Sequence, residues 1–143
     1  IHSGMGESSD GMTERLVRAI ENPFVTCIGH LSTRLIGERD PIAFDEEIVF
    51  RAAASNQTAL EINASPNRLD LNDTHAMRAR ELGVPLFINT DSHSRRGFDS
   101  LRFGVGVARR AWCTRNDIMN AAPWPRFREF VQRNRSASAS VTT

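Results

Sequence analysis

The sequence predicts an α/β protein with a parallel sheet and covering helices, on three observations. Apolar runs of strand length alternate with stretches of helical period, the runs lack the in-and-out alternation of a half-exposed strand, and they end in polar residues. Sheets of this kind, whether closed into barrels or doubly wound, carry their sites at the C-terminal strand ends.

The elements follow in order. Ile1-His2-Ser3 reads as the end of a strand, so the chain looks cut from something longer. Met12, Leu16, Val17 and Ile20 set a helix over residues 12–20, which Asn22-Pro23 ends. Residues 24–30 form a β-rich run that stops at His30. A helix is expected over 45–54, a strand over 59–63, and a helix over 73–82 with Gly83 as its left-handed cap. The strand 85–89 then runs straight into Thr90-Asp91-Ser92-His93. Further helices are expected over 99–112, from Thr114 as N-cap with Asp117 three residues on, and over 124–133. Phe103-Gly104-Val105-Gly106-Val107 lacks the third glycine of a dinucleotide fingerprint and follows no strand, so close helix packing is the expectation there. One domain over 1–135 and a disordered low-complexity tail over 136–143 complete the reading.

Composition removes several chemistries. All eighteen cationic side chains are Arg, and Lys and Tyr are absent from the 143 residues. Schiff-base formation and phenolic acid catalysis therefore drop out, leaving His, carboxylates, two Cys, hydroxyls and any bound metal. Charge is divided: residues 1–94 hold eight Arg against fourteen acidic residues, and residues 95–143 hold ten against three. The basic part favours a polyanion such as nucleic acid, or else is a solvated surface facing an acidic neighbour. Cys27 and Cys113 form no C-x-x-C unit and suit buried thiols in a reducing compartment. With no long apolar stretch and no leader pattern, the expectation is a soluble, cytoplasmic protein with no membrane partner.

Three of the four His stand at strand ends: His2, His30, and His93 together with Asp91. Converging strand ends bring such residues together from distant parts of the chain, which is the pattern of a metal site. His75, within a helix, is expected to be structural. Ser3, Ser32 and Ser92 lie beside His residues, but no nucleophile-elbow motif supports a serine nucleophile.

Three segments carry a family resemblance. Leu60-Glu61-Ile62-Asn63-Ala64-Ser65-Pro66-Asn67-Arg68-Leu69-Asp70-Leu71-Asn72-Asp73, then Ile88-Asn89-Thr90-Asp91-Ser92-His93-Ser94, then Leu101-Arg102-Phe103-Gly104-Val105-Gly106-Val107-Ala108-Arg109-Arg110-Ala111-Trp112 closely resemble the PHP (polymerase and histidinol phosphatase) domain at the C-terminus of bacterial family X DNA polymerases. The match runs from His2 to about Val131. It implies the C-terminal part of a distorted (β/α)7 TIM-like barrel, with the N-terminal strands missing and a mouth holding up to three divalent ions, zinc or manganese. By the same resemblance His2 and His30 match two ligands of one metal, Asp91 a ligand of a second, and His93 a ligand of a third. The family's H-x-H pair and bridging Glu are not found in this chain, and Leu31-Ser32-Thr33-Arg34 stands where Pro-Thr-Gly-Arg is common.

The activity so implied is hydrolysis of a phosphodiester by metal-activated water, as a 3′→5′ exonuclease on DNA 3′ ends beside a repair polymerase. His30, Asp91 and His93 are the expected catalytic residues. Arg34 and Arg68 are placed to clamp a phosphate or to form structural ion pairs, and Asn63 to hydrogen-bond a ligand or substrate. The expected partners are DNA, the missing PHP strands and the polymerase domains. The segment alone is expected to bind metal weakly and to be inactive. Alternatives are a small-molecule phosphatase of the histidinol-phosphatase kind and a catalytically silent interaction module.

Overall fold

The computed structural model describes residues 2–138. Helix α1 covers Ser9–Ile20, strand β1 Cys27–Ile28, helix α2 Glu46–Asn56, strand β2 Ala59–Asn63, helix α3 Asp73–Glu81 and strand β3 Leu86–Asn89. A 3-10 turn over Arg95–Ser100 leads into helix α4, Leu101–Arg110, and a second over Met119–Ala121 precedes helix α5, Trp124–Ser138. The three strands form a parallel sheet in the order β1-β2-β3, with Leu60 beside Leu86 and Asn63 beside Asn89.

Caps explain the helix starts. Ser8 accepts the Gly11 N–H at 3.2 Å, so α1 begins three residues before its apolar stripe. Asp45 caps α2 through the Ile48 N–H at 2.9 Å, and Asn72 caps α3 through the His75 N–H at 2.8 Å. Gly83 follows α3 with φ of 78°, as expected.

The sheet is covered on both faces, which is why β2 is buried along its whole length. Leu60, Ile62, Leu86 and Ile88 point into a core with Leu16 and Ile20 of α1, Phe50 of α2, Ala76 of α3 and Val107 of α4. On the opposite face Ala59 and Phe87 meet Phe130 of α5, with the Phe87 and Phe130 ring centroids 5.7 Å apart. Gly104 lets α4 approach the sheet: a Cβ there would stand 2.6 Å from Ile88 Cγ2 and 2.8 Å from Ala64 Cβ.

Several expectations change. Ile1 lies outside the described residues, and His2 and Ser3 are not in a strand. The run 24–30 is a strand only over Cys27–Ile28, because Pro23 and Phe24 turn and His30 adopts a left-handed φ of 31°. Thr114 starts no helix. Asp117 accepts both its N–H, at 2.6 Å, and its hydroxyl, at 2.8 Å, but Ile118 is extended and bridges to Leu86, so sheet pairing prevails over helix propagation. Helix α5 reaches Ser138, over the first residues of the expected tail, while 139–143 lie outside the described residues. Among the described residues no helix is long and apolar enough to cross a membrane.

Candidate active site

The C-terminal ends of the three strands gather buried polar groups around Glu61. Glu61 is the one charged residue of β2 and is 7% exposed. Its Oε2 accepts the His30 backbone N–H at 2.7 Å and the Asn63 amide at 3.1 Å, and its Oε1 accepts the Asn89 amide at 2.9 Å. One carboxylate therefore ties the ends of β1, β2 and β3 together, and three donors offset its burial.

His30 is buried, and its Nδ1 has no hydrogen-bond partner. Burial first, and then the positive charge of Arg68, hold its pKa below the usual histidine value, so the ring is neutral at pH 7. His2 meets it edge-on, with ring centroids 5.2 Å apart. Two imidazoles on one tetrahedral ion place their centroids about 5 Å apart. The pair thus fits two donors of a metal implied by the family resemblance, and the unpartnered Nδ1 is consistent with that use. The remaining donors stand apart: among the described residues no three His, Cys, Asp or Glu side chains are grouped to hold an ion.

Asp91 follows β3 in a left-handed conformation, φ 52°, with its carboxylate 3.8 Å from Arg68 Nε. His93 is exposed, and its Nδ1 lies 2.8 Å from the Asp91 carbonyl, which leaves Nε2 open. Thr33, with φ 57°, and Leu69, with φ 45°, join His30 and Asp91 in that region of backbone space, so four non-glycine residues in the loops after the strands are held there. Each such residue costs on the order of 1–3 kcal/mol, and clustering of this kind marks functional sites.

The other expected residues divide. Arg34 donates Nε to the Arg68 carbonyl at 2.6 Å and Nη2 to the Leu69 carbonyl at 2.5 Å, so its fork locks two loops together. Arg68 keeps a looser setting, with Nη1 3.5 Å from the Arg34 carbonyl and Nε beside Asp91. Asn63 is fully buried, and both ends of its amide are engaged, by Glu61 and by the Ser65 N–H at 3.0 Å. In this structure its amide supports Glu61 and the Ser65 turn. His75 pairs with Glu46 at 2.9 Å, away from this cluster.

Glu61, Asp70 and Asn89 were not singled out by sequence. Asp70 is 1% exposed, its Oδ2 has no hydrogen-bond partner, and burial pushes its carboxyl above the usual range against the pull of the Ser32 N–H. An acidic residue in the middle of an apolar five-residue strand was the available signal for Glu61. Asp70 gave none, because it reaches the strand end through a loop that doubles back to pair with Asn63.

Sheet and strand-end cluster together define an α/β domain with a polar site at the C-terminal mouth of its strands. No protein-family model matches the chain. Over 134 residues, 94% of its length, the chain is 38% identical to the DNA polymerase/3′-5′ exonuclease PolX of Bacillus subtilis (strain 168). It is thus homologous to the C-terminal part of a bacterial family X DNA polymerase, the family its motifs resemble. The chain spans about a quarter, 24%, of that protein's length.

Proposed function

We propose that this chain forms part of a metal-dependent phosphodiesterase site acting as a 3′→5′ exonuclease on DNA ends, in association with family X polymerase domains. The observation that carries the reading is the His2–His30 pair beside the Glu61-centred mouth, in a chain 38% identical to a polymerase/exonuclease. The three parallel strands are read as one arc of a PHP-type barrel, and the setting as cytoplasmic.

His2 and His30 would hold one divalent ion, zinc or manganese, while Asp91 and His93 would serve further ions with donors outside this chain. When bound, such ions lower the pKa of a coordinated water and neutralise phosphate charge. The chain's own residues set the geometry. Glu61 fixes the His30 turn and the approach to Asp91, and burial keeps the His30 ring neutral and able to ligate. Arg68, held loosely beside Asp91 at 3.8 Å, is the loop arginine that would turn toward a phosphate. Arg34 holds the loop that carries it.

One observation favours a second reading, a catalytically silent module: the described donors form no group of three. A chimera separates the two, with this chain replacing the aligned C-terminal part of the Bacillus subtilis relative. Manganese-dependent digestion of a 3′ end is expected, falling more than about a hundredfold on His30→Ala or Asp91→Ala, since even supporting residues of metal sites cost 10–100-fold. Digestion undiminished in both variants overturns the active-site reading, and a folded chimera that binds no manganese or zinc supports the silent one. The 143-residue chain alone is expected to bind these ions weakly and to hydrolyse nothing.

A further inference from the structure

Phe98 is 67% exposed, and no aromatic ring stacks on it among the described residues. Trp112, Trp124 and Phe24 are equally exposed, but Phe98 differs in its surroundings. Together with Leu101, Ile88, Asn89, Thr90 and Asp91 it lines a cleft of about 290 Å³. The ring therefore shares a cleft with Asp91 of the candidate site.

Its support is closely fitted. Gly97 lies so near the loop after β3 that a Cβ would fall 2.1 Å from Ser92 Oγ and 3.3 Å from Ser92 Cα, and Ser92 Oγ in turn bonds the Ser94 carbonyl at 2.5 Å. Only glycine permits that approach. The neighbouring Arg95 and Arg96 are exposed and form no ion pair among the described residues. A displayed aromatic face flanked by free guanidiniums is the composition with which proteins hold single-stranded nucleic acid, the ring stacking on a base and the cations facing the backbone.

We propose that Phe98 is the stacking platform for the terminal nucleobase of single-stranded DNA, received in the cleft beside Asn89 and Asp91. This rests on the DNA reading above and adds the group that grips the base. The cleft's volume of about 290 Å³ is enough to admit one base.

The test is fluorescence titration of the full 143-residue chain against an oligonucleotide with 2-aminopurine at its 3′ terminus, and against the same oligonucleotide ending in an abasic residue. Quenching of the terminal base is expected. Phe98→Ala should weaken binding about five- to a hundredfold, the range for loss of one base–aromatic stack. Phe98→Trp should restore it, Gly97→Val should weaken it by moving the ring's support, and the abasic end should bind weakly and equally to wild type and Phe98→Ala. DNA binding that ignores both Phe98→Ala and the abasic end overturns this inference and leaves the DNA reading standing. A chain that binds no oligonucleotide overturns this inference, while the DNA reading is judged on the chimera. Thermal unfolding by circular dichroism guards the variants: a Phe98→Ala protein that melts early yet binds DNA normally means the ring is a packing surface, and the inference fails.

Discussion

The carboxylate of Glu61 accepts the backbone N–H of His30 at 2.7 Å, so a side chain in the middle of one strand sets the turn at the end of its neighbour. The same carboxylate reaches Asn89, two residues before Asp91. Removing it leaves three donors facing a buried void. Glu61→Ala should destabilise the chain by about 2–4 kcal/mol in urea unfolding, and Glu61→Gln by less, because the amide retains one acceptor oxygen. Faster hydrogen exchange at the His30 amide in both variants is the specific sign. An unchanged rate means that Glu61 does not hold that turn.

Gly104 gives a packing prediction. Val at this position drives methyl groups into Ile88 and Ala64, where even a Cβ would be 2.6 Å and 2.8 Å from its neighbours. Gly104→Val should cost about 1–3 kcal/mol. Gly106, with open space around it, should accept Ala at little cost, as thermal melts of the two variants side by side will show.

Glu47 ties α2 to α3 and to its own helix, with Arg78 at 2.7 Å and Arg51 at 2.5 Å. The hydrogen bond from Arg78 is the largest cause holding its carboxyl below the ordinary value of 4.5. A depressed folded pKa means that the folded state binds fewer protons than the unfolded one. The stabilisation is therefore present above 4.5 and is lost as pH falls through the lower folded value. Melting temperatures of wild type and Glu47→Gln should differ at pH 7 and converge below pH 4.5. A gap that persists in acid rules out the ion pair as its source.

The two loop arginines should separate by experiment. Arg34→Met removes a fork that holds two carbonyls and should lower stability by about 1–3 kcal/mol. Arg68→Met should change stability less. If Arg68 meets a phosphate, that variant should weaken DNA binding uniformly across sequences and reduce the salt dependence by about one counterion. Equal loss of stability in both variants would assign Arg68 a structural role.

Helix and strand identity was largely legible in the sequence, because burial on both sheet faces writes itself as continuous apolar runs and each helix as a 3.6-residue stripe. Ala59–Asn63, Leu86–Asn89, Glu46–Asn56 and Asp73–Glu81 fall close to their expected positions. The close-packing reading of the glycine segment holds for Gly104, which faces Ile88 and Ala64. The helix expected at Thr114 failed because a local capping pattern carries no information about the long-range bridge from Ile118 to Leu86. At the candidate site, the sequence marked His2, His30, Asp91 and His93 but not the buried carboxylates Glu61 and Asp70.

By itself, the sequence determined the alternation of helix and strand, which is written in residue type and spacing, and carried a resemblance that the 38% identity to the Bacillus subtilis polymerase/exonuclease supports. Only the tertiary structure decided which polar groups meet. Parallel register sets Asn63 beside Asn89, and the doubled-back loop brings Asp70 to the same end. Arg34 and Arg68 look alike in sequence, yet one is committed to backbone carbonyls and the other stands beside Asp91, because hydrogen-bond partners are fixed by where distant segments cross.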